Sequence, residues 1–176
     1  MQNKKAEVLL WTTNKAPNGL WVEIGGIRES KEVPQDGYST YYLAKEAERR
    51  QCDFITIDKD LECSKIALKL LNLNNLPGKV INGDGKIEVA KLPPISFLYL
   101  DSHRLPIFSA EQYIAAELVP GAVIAIDDCH EFDGFKFGKG TNLVSIFEHQ
   151  NITWSIADTE PGFKMIVAYF PEGKTK

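Results

Sequence analysis

Five short apolar runs recur along the chain, each followed by a polar or glycine-containing stretch: "LWVEI" (20–24), "DFITI" (53–57), "GKVI" (78–81), "ISFLYL" (95–100) and "AVIAI" (122–126). Several are apolar at consecutive positions, the pattern of strands covered on both faces. Between them the spacing becomes helical. "STYYLAKEAERRQ" sets Leu43, Ala44 and Ala47 on one side, and "LECSKIALKLLNLN" sets Leu61, Ile66, Leu70 and Leu73 at steps of three to five residues. A third helix is expected over 109–119, with Ser109 as its cap and Pro120 and Gly121 as its stop, and a fourth over "TNLVSIFEHQ".

Repeated strand–helix–strand units predict a parallel sheet with right-handed crossovers. The C-terminal part departs from that rhythm. Only "DTEPG" separates "ITWSIA" (152–157) from "FKMIVAYF" (163–170), too little for a helical crossover, so these two strands should pair antiparallel. The expected class is α/β, a mostly parallel sheet ending in an antiparallel hairpin.

A length of 176 residues with 44% hydrophobic content suits one domain over 1–176, with 1–19 as an N-terminal extension and 171–176 as a frayed tail. The net charge of -4 is mild and Lys and Arg are scattered, so no basic stripe points to nucleic acid. The run "AEVLLW" contains Glu7 and is too short for a signal peptide or a membrane span, so no membrane partner is expected. Cys52, Cys63 and Cys129 are odd in number and lack C-x-x-C spacing, which argues against a disulfide framework or structural zinc and fits a cytoplasmic address.

In doubly wound sheets the ligand lies beyond the carboxyl ends of the strands, so the residues after each apolar run are the candidates. After the first come Gly25 and Gly26, then Gly37, Ser39 and Thr40 where a helix begins. This is either a cofactor loop with an insertion or a surface loop with a glycine at each end. After the second stands Asp58, suited to accept both hydroxyls of a ribose, with Asp60 near it as an alternative helix cap. After the third, "NGDGK" offers Asp84 either as an acceptor for an adenine amine or as turn chemistry.

After the fourth and fifth runs come Asp101 and the pair Asp127 and Asp128. Carboxylates gathered at one sheet edge need a cation, a shared proton or ample water, and an oxygen-rich set suits magnesium, calcium or manganese. The alternative is that one caps a loop and the others are solvated. His103 and His130 follow two residues after Asp101 and Asp128, as candidates for a general base or a metal ligand.

Taken together, these motifs resemble the Rossmann-like S-adenosylmethionine-dependent methyltransferases over residues 20–170. "VEIGG…DGYST" is similar to the family's cofactor motif, "ITID" to its ribose-binding acid, "NGD" to its adenine-side acid, and "LYLDS" with "PGAVIAIDD" to its fourth and fifth strands. Among subgroups the likeness is to small O-methyltransferases and to cephalosporin-hydroxylase-like or macrocin-type enzymes. The resemblance implies a three-layer sandwich on a seven-stranded sheet, S-adenosylmethionine as cofactor, and transfer of its methyl group to a small-molecule hydroxyl. It would place Glu23, Gly25, Gly37, Ser39 and Thr40 at the methionine part, Asp58 at the ribose and Asp84 at the adenine. Asp101, Asp127 and Asp128 would hold Mg2+ or another divalent cation, and Asp101 with His103 or His130 would serve catalysis.

Catechol-type members carry a lysine three residues after the fourth-strand acid, where this chain has Arg104. Arginine stays protonated, so a base would have to be His103 or His130, unless a metal acidifies the hydroxyl. With about twenty residues before the first strand, the acceptor side is expected to be closed by the insertion at 27–36, by 131–140 with Phe132, Phe135 and Phe137, or by a second subunit in a homodimer. Two other functions compete: a methyltransferase-like binding module without turnover, and a nicotinamide-dependent oxidoreductase. The second is disfavoured by the lack of G-x-G-x-x-G after the first strand.

Overall fold

The computed structural model describes residues 4–27, 39–160 and 163–173, the side chains of Glu160 and Phe163 excepted. The strands are β1 (Leu20–Ile24), β2 (Asp53–Asp58), β3 (Lys79–Asn82), β4 (Ile95–Leu100), β5 (Leu118–Ile126), β6 (Thr153–Glu160) and β7 (Phe163–Tyr169). The helices are α1 (Lys4–Thr13), α2 (Ser39–Arg50), α3 (Leu61–Leu73), α4 (Gly85–Val89), α5 (Pro106–Ala115) and α6 (Thr141–Gln150), with a 3-10 turn at Gly138–Gly140.

One sheet runs in the order β3-β2-β1-β4-β5-β7-β6, with β1 to β5 parallel and β7 antiparallel to both its neighbours. This agrees with the expected seven strands and terminal hairpin. Every residue of β1 and β4 is buried, the polar Glu23 and Ser96 included, as expected of strands covered on both faces. Alternate side chains feed two cores. Val22, Ile24, Leu98 and Leu100 meet Tyr113 and Phe147 from α5 and α6, while Trp21, Phe97 and Tyr99 meet Leu9 and Leu43 from α1 and α2.

Three elements differ from the expectation. First, α5 begins at Pro106, whose missing N–H is harmless in the first turn, so Ser109 is not a cap but a fully buried residue inside the helix. The expected stop at Pro120 and Gly121 instead lies within β5, where Ile95 pairs with Leu118 and Phe97 with Val123, a bulge made possible by Gly121 at φ +78°. Second, the "NGDG" turn opens a short helix, α4, which the sequence reading lacked. Third, the N-terminal extension is not featureless. Ala6, Leu9, Thr12 and Thr13 form a buried stripe on α1, which packs on α2 and β6.

Docking of α1 has a direct test. Leu9 is 1% exposed in the second core, so Leu9→Ala should lower the free energy of unfolding by about 3 kcal/mol, read from the midpoint of a denaturant titration. A loss below about 0.5 kcal/mol, typical of surface sites, would show that α1 does not belong to the folded body.

Candidate functional site

The helices after β1 and β4 leave toward opposite faces, since α2 belongs to one core and α5 to the other. The carboxyl ends of β1 and β4 therefore form the switch point at which open α/β sheets hold ligands. Hydrogen bonds continue the ladder past the strands: Gly25 N–H donates to Ile57 C=O at 2.9 Å, Asp101 N–H to Ile24 C=O at 2.8 Å, and Asp127 N–H to Leu100 C=O at 3.1 Å. Site residues thus share the sheet's rigid frame. Gly25 has φ +93°, and a Cβ there would lie 2.5 Å from the carbonyl carbon of Asp101. Only glycine meets both demands.

A cleft of about 290 Å³ opens here, at the lower end of the range for small-molecule sites. Ile24, Ile57 and Phe108 give it apolar walls, while Asp58, Asp84 and Gln112 bring polar groups to its lining. Asp58 accepts from Gly26 N–H through Oδ2 at 2.9 Å and from Asp60 N–H through Oδ1 at 2.8 Å, which fixes the carboxylate and leaves each oxygen a lone pair. Asp60 caps α3, accepting from the amides of Glu62 and Cys63. Asp84 caps α4, with Oδ1 accepting from Lys86 and Ile87 N–H, and also lines the cleft. Gly85 is needed beside it because a Cβ would lie 2.4 Å from the Ile24 side chain.

Glu23, Ser39 and Thr40 converge, but on one another. Ser39 Oγ donates to Glu23 Oε1 at 2.6 Å, and Thr40 Oγ1 and Thr56 Oγ1 donate to Oε2 at 2.6 and 2.8 Å. All four side chains are buried, so they tie the start of α2 to β1 and β2 beneath the cleft. Burial pushes the Glu23 carboxyl up to about 7 against the pull of the three hydroxyl donors. Gly37 and residues 28–36 of the inserted stretch lie outside the described residues.

Asp101, Asp127 and Asp128 also converge, and the cations among them are lysines. Lys139 Nζ bridges Asp101 Oδ1 at 2.5 Å and Asp128 Oδ2 at 2.9 Å, while Lys5 Nζ from α1 pairs with Asp127 Oδ2 and lies 4.0 Å from Asp101 Oδ2. Tyr99 Oη donates to Asp127 Oδ2 at 2.8 Å. Burial opposes the charge on both lysines, but the neighbouring carboxylates outweigh it and raise both pKa values. Burial pushes the Asp128 carboxyl up, but Lys139, with help from Lys5 and His130, outweighs it and holds the group below the carboxylate range. Asp101 is raised by burial and by Asp127, as befits a cluster with one carboxylate more than it has ammoniums. The divalent ion expected from the sequence thus meets a site already supplied with positive charge.

His103 stands at the cleft with its ring 4.4 Å from that of Phe108, and its Nδ1 accepts from Leu105 N–H at 3.1 Å. That bond puts the proton of the neutral ring on Nε2. His130 lies beyond Asp128, its ring 5.9 Å from that of Phe132. Arg104 stacks 4.6 Å over Phe132 and pairs with Asp133 at 3.4 Å, clasping the loops after β4 and β5. Phe135 packs on Phe132, and Phe137 turns inward to Trp154. The stretch is a compact turn, and Gly138 (φ +48°) has backbone oxygens of Asp128 and His130 where a Cβ would be.

Several site residues escaped the sequence reading. Lys139 in "GKG", directly before a helix, could have been suspected from its flanking glycines. Gln112 is a polar residue on the buried face of α5, bonded to Ser102 Oγ at 2.8 Å. Lys5 carries no local signal, since its partners are more than ninety residues away.

The shifted acid gives a pH prediction. The folded pKa of Glu23 is raised from 4.5 to about 7, so its contribution is fully present below pH 4.5 and is lost as pH rises through 7, a span worth about 3 kcal/mol for a fully buried group. Denaturation curves from pH 4.5 to 8 should show wild-type stability falling relative to Glu23→Gln over that window. Parallel curves would show that the carboxyl titrates normally.

Neither a protein-family model nor a curated protein matches the chain. Solved structures do. The chain is similar to cofactor-bound Rv0187 from MTB, with 16% identity, a TM-score of 0.69, and 98% of this chain and 82% of that one covered. It is likewise similar to the O-methyltransferase of Bacillus cereus in complex with SAH, at 18% identity and TM-score 0.65 over 97% and 82% of the two chains. The O-methyltransferase TomG of Streptomyces achromogenes, in complex with SAM, gives 16% identity and TM-score 0.60 over 97% and 81%. Among the described residues no helix is long and apolar enough to cross a membrane. With these neighbours and the strand order above, the fold of the chain is that of the Rossmann-like S-adenosylmethionine-dependent methyltransferases.

Proposed function

We propose that the protein is an S-adenosylmethionine-dependent methyltransferase acting on the hydroxyl of a small molecule. The observation that carries this reading is the cleft at the β1–β4 switch point with an anchored Asp58 at its β2 side. Its chemistry fits an adenosyl group: a carboxylate with free lone pairs suits vicinal ribose hydroxyls, and apolar walls beside Gln112 and Asp84 suit a planar base with an exocyclic amine. The likeness to structures in complex with SAH and SAM supports the same cofactor.

Bound there, the cofactor supplies an electrophilic methyl group on a sulfonium. The residues of this chain then have to align the acceptor and exclude water, which is where most of the rate of such a displacement originates. The acceptor edge is the end of β4 and β5, where Asp128 is the most exposed of the three carboxylates and, being ionised, accepts a hydrogen bond from the incoming hydroxyl. His103, which lines the cleft, and His130, beyond Asp128, are the two imidazoles on this side that could take the proton.

Calorimetry with S-adenosylhomocysteine tests the cofactor site. The wild type should bind with a micromolar Kd, and Asp58→Asn, checked for an unchanged melting temperature, should bind about 10- to 100-fold more weakly. Labelled methyl transfer to a panel of small hydroxyl compounds then tests the reaction. Binding without transfer to any acceptor would favour the binding module, and binding of a nicotinamide cofactor instead would sink the reading.

A further inference from the structure

We propose that Lys5 and Lys139 are the resident cations of the carboxylate cluster, so that the acceptor edge operates without a divalent metal. The inference concerns the edge used in the reading above, but it rests on charge and geometry that hold whether or not methyl transfer occurs.

Lys139 Nζ bridges Asp101 and Asp128 at 2.5 and 2.9 Å, joining the ends of β4 and β5 as a metal ion would. Carboxylate oxygens bind magnesium or calcium at about 2.0–2.6 Å, so a metal held by the same two oxygens would need the space that Nζ fills. Lys5 closes the other side: its Nζ pairs with Asp127, whose same Oδ2 also accepts from Tyr99. A divalent ion would have to displace two ammoniums and shed part of its own hydration. The ammoniums are tethered, and little of either is open to solvent, the Lys139 side chain being 5% exposed and that of Lys5 15%.

Their supports are built rather than incidental. Lys139 N–H also donates to Asp128 C=O at 3.4 Å, and Gly138 and Gly140 on either side pack where a Cβ would lie within 2.5 Å of neighbouring atoms. Lys5 is carried by α1 through the buried stripe of Ala6 and Leu9. The site is thus assembled from the first helix, two strand ends and the turn before α6.

The test is a titration of purified wild-type protein with Mn2+, followed by the electron paramagnetic resonance of the free ion, with melting curves in chelator and in Mg2+. The expected result is no stoichiometric binding up to about 1 mM and a melting temperature unmoved by chelator, against the micromolar affinities typical of dedicated oxygen-ligand sites. Stoichiometric micromolar binding that is lost in Asp127→Asn would overturn the proposal. The converse variant is Lys5→Ala with Lys139→Ala, expressed with Mn2+ present. It should bind one Mn2+ with a Kd below about 100 µM and melt at least about 5 °C higher with the ion than without it. If that pair does not fold, Lys139→Ala alone should show the same gain. A folded variant that gains no Mn2+ affinity would also overturn the proposal, because its carboxylates would then not converge on one cation-sized position. None of these readouts needs turnover, so they stand apart from the fate of the methyltransferase reading.

Discussion

Gly25 comes so close to the exit of β4 that the first carbon of any side chain would lie 2.5 Å from the backbone of Asp101. That approach is what lets the ends of β1 and β4 stay paired, through Asp101 N–H and Ile24 C=O, beyond the point where their helices diverge. The cleft exists because the divergence begins there. Asp58 and Asp84 on one side and Asp101 and Ser102 on the other are all placed by strand ends held in the same ladder, so a shift at Gly25 would be felt across the site.

Two carboxylate sites, one strand apart, answer the cost of burying a charge in different ways. Among the described residues Glu23 bonds to three hydroxyl donors and to no cation, and these donors do not fully offset its desolvation, so it holds its proton to near neutrality. Asp127, equally buried, has an ammonium and a phenol for partners. Buried ion pairs of this kind add little net stability compared with an apolar core, but losing one partner leaves a costly bare charge. What they secure is position: the ends of β4 and β5 are held at the spacing one bridging ammonium allows.

Much of the fold was legible because its signals are local. Consecutive apolar positions in "ISFLYL" and "LWVEI" demand strands buried on both faces, and "DTEPG" is too short to permit anything but a hairpin. The ends of α5 were misread because Pro106 and Pro120 are ambiguous in sequence: one opens a helix and the other rides in a bulge, and only the pairing of Ile95 with Leu118 decides between them. In the site, the acids at strand ends could be found from the topology alone. Their partners could not. That Ser39 and Thr40 face Glu23, or that Lys5 and Lys139 stand among the aspartates, depends on side-chain directions set by tertiary packing, and a carboxylate cluster in sequence reads the same whether a metal or a lysine neutralises it.

The Lys5–Asp127 pair joins the first helix to the end of the fifth strand, across most of the chain. Contacts of such sequence separation carry a large loop-closure cost and are late to form. During synthesis α1 is made before β5, and Lys5 has no Asp127 to neutralise until β5 has been made and placed beside β4. The cluster at the ends of β4 and β5 is therefore completed late, and Asp127 lacks its ammonium partner until α1 docks.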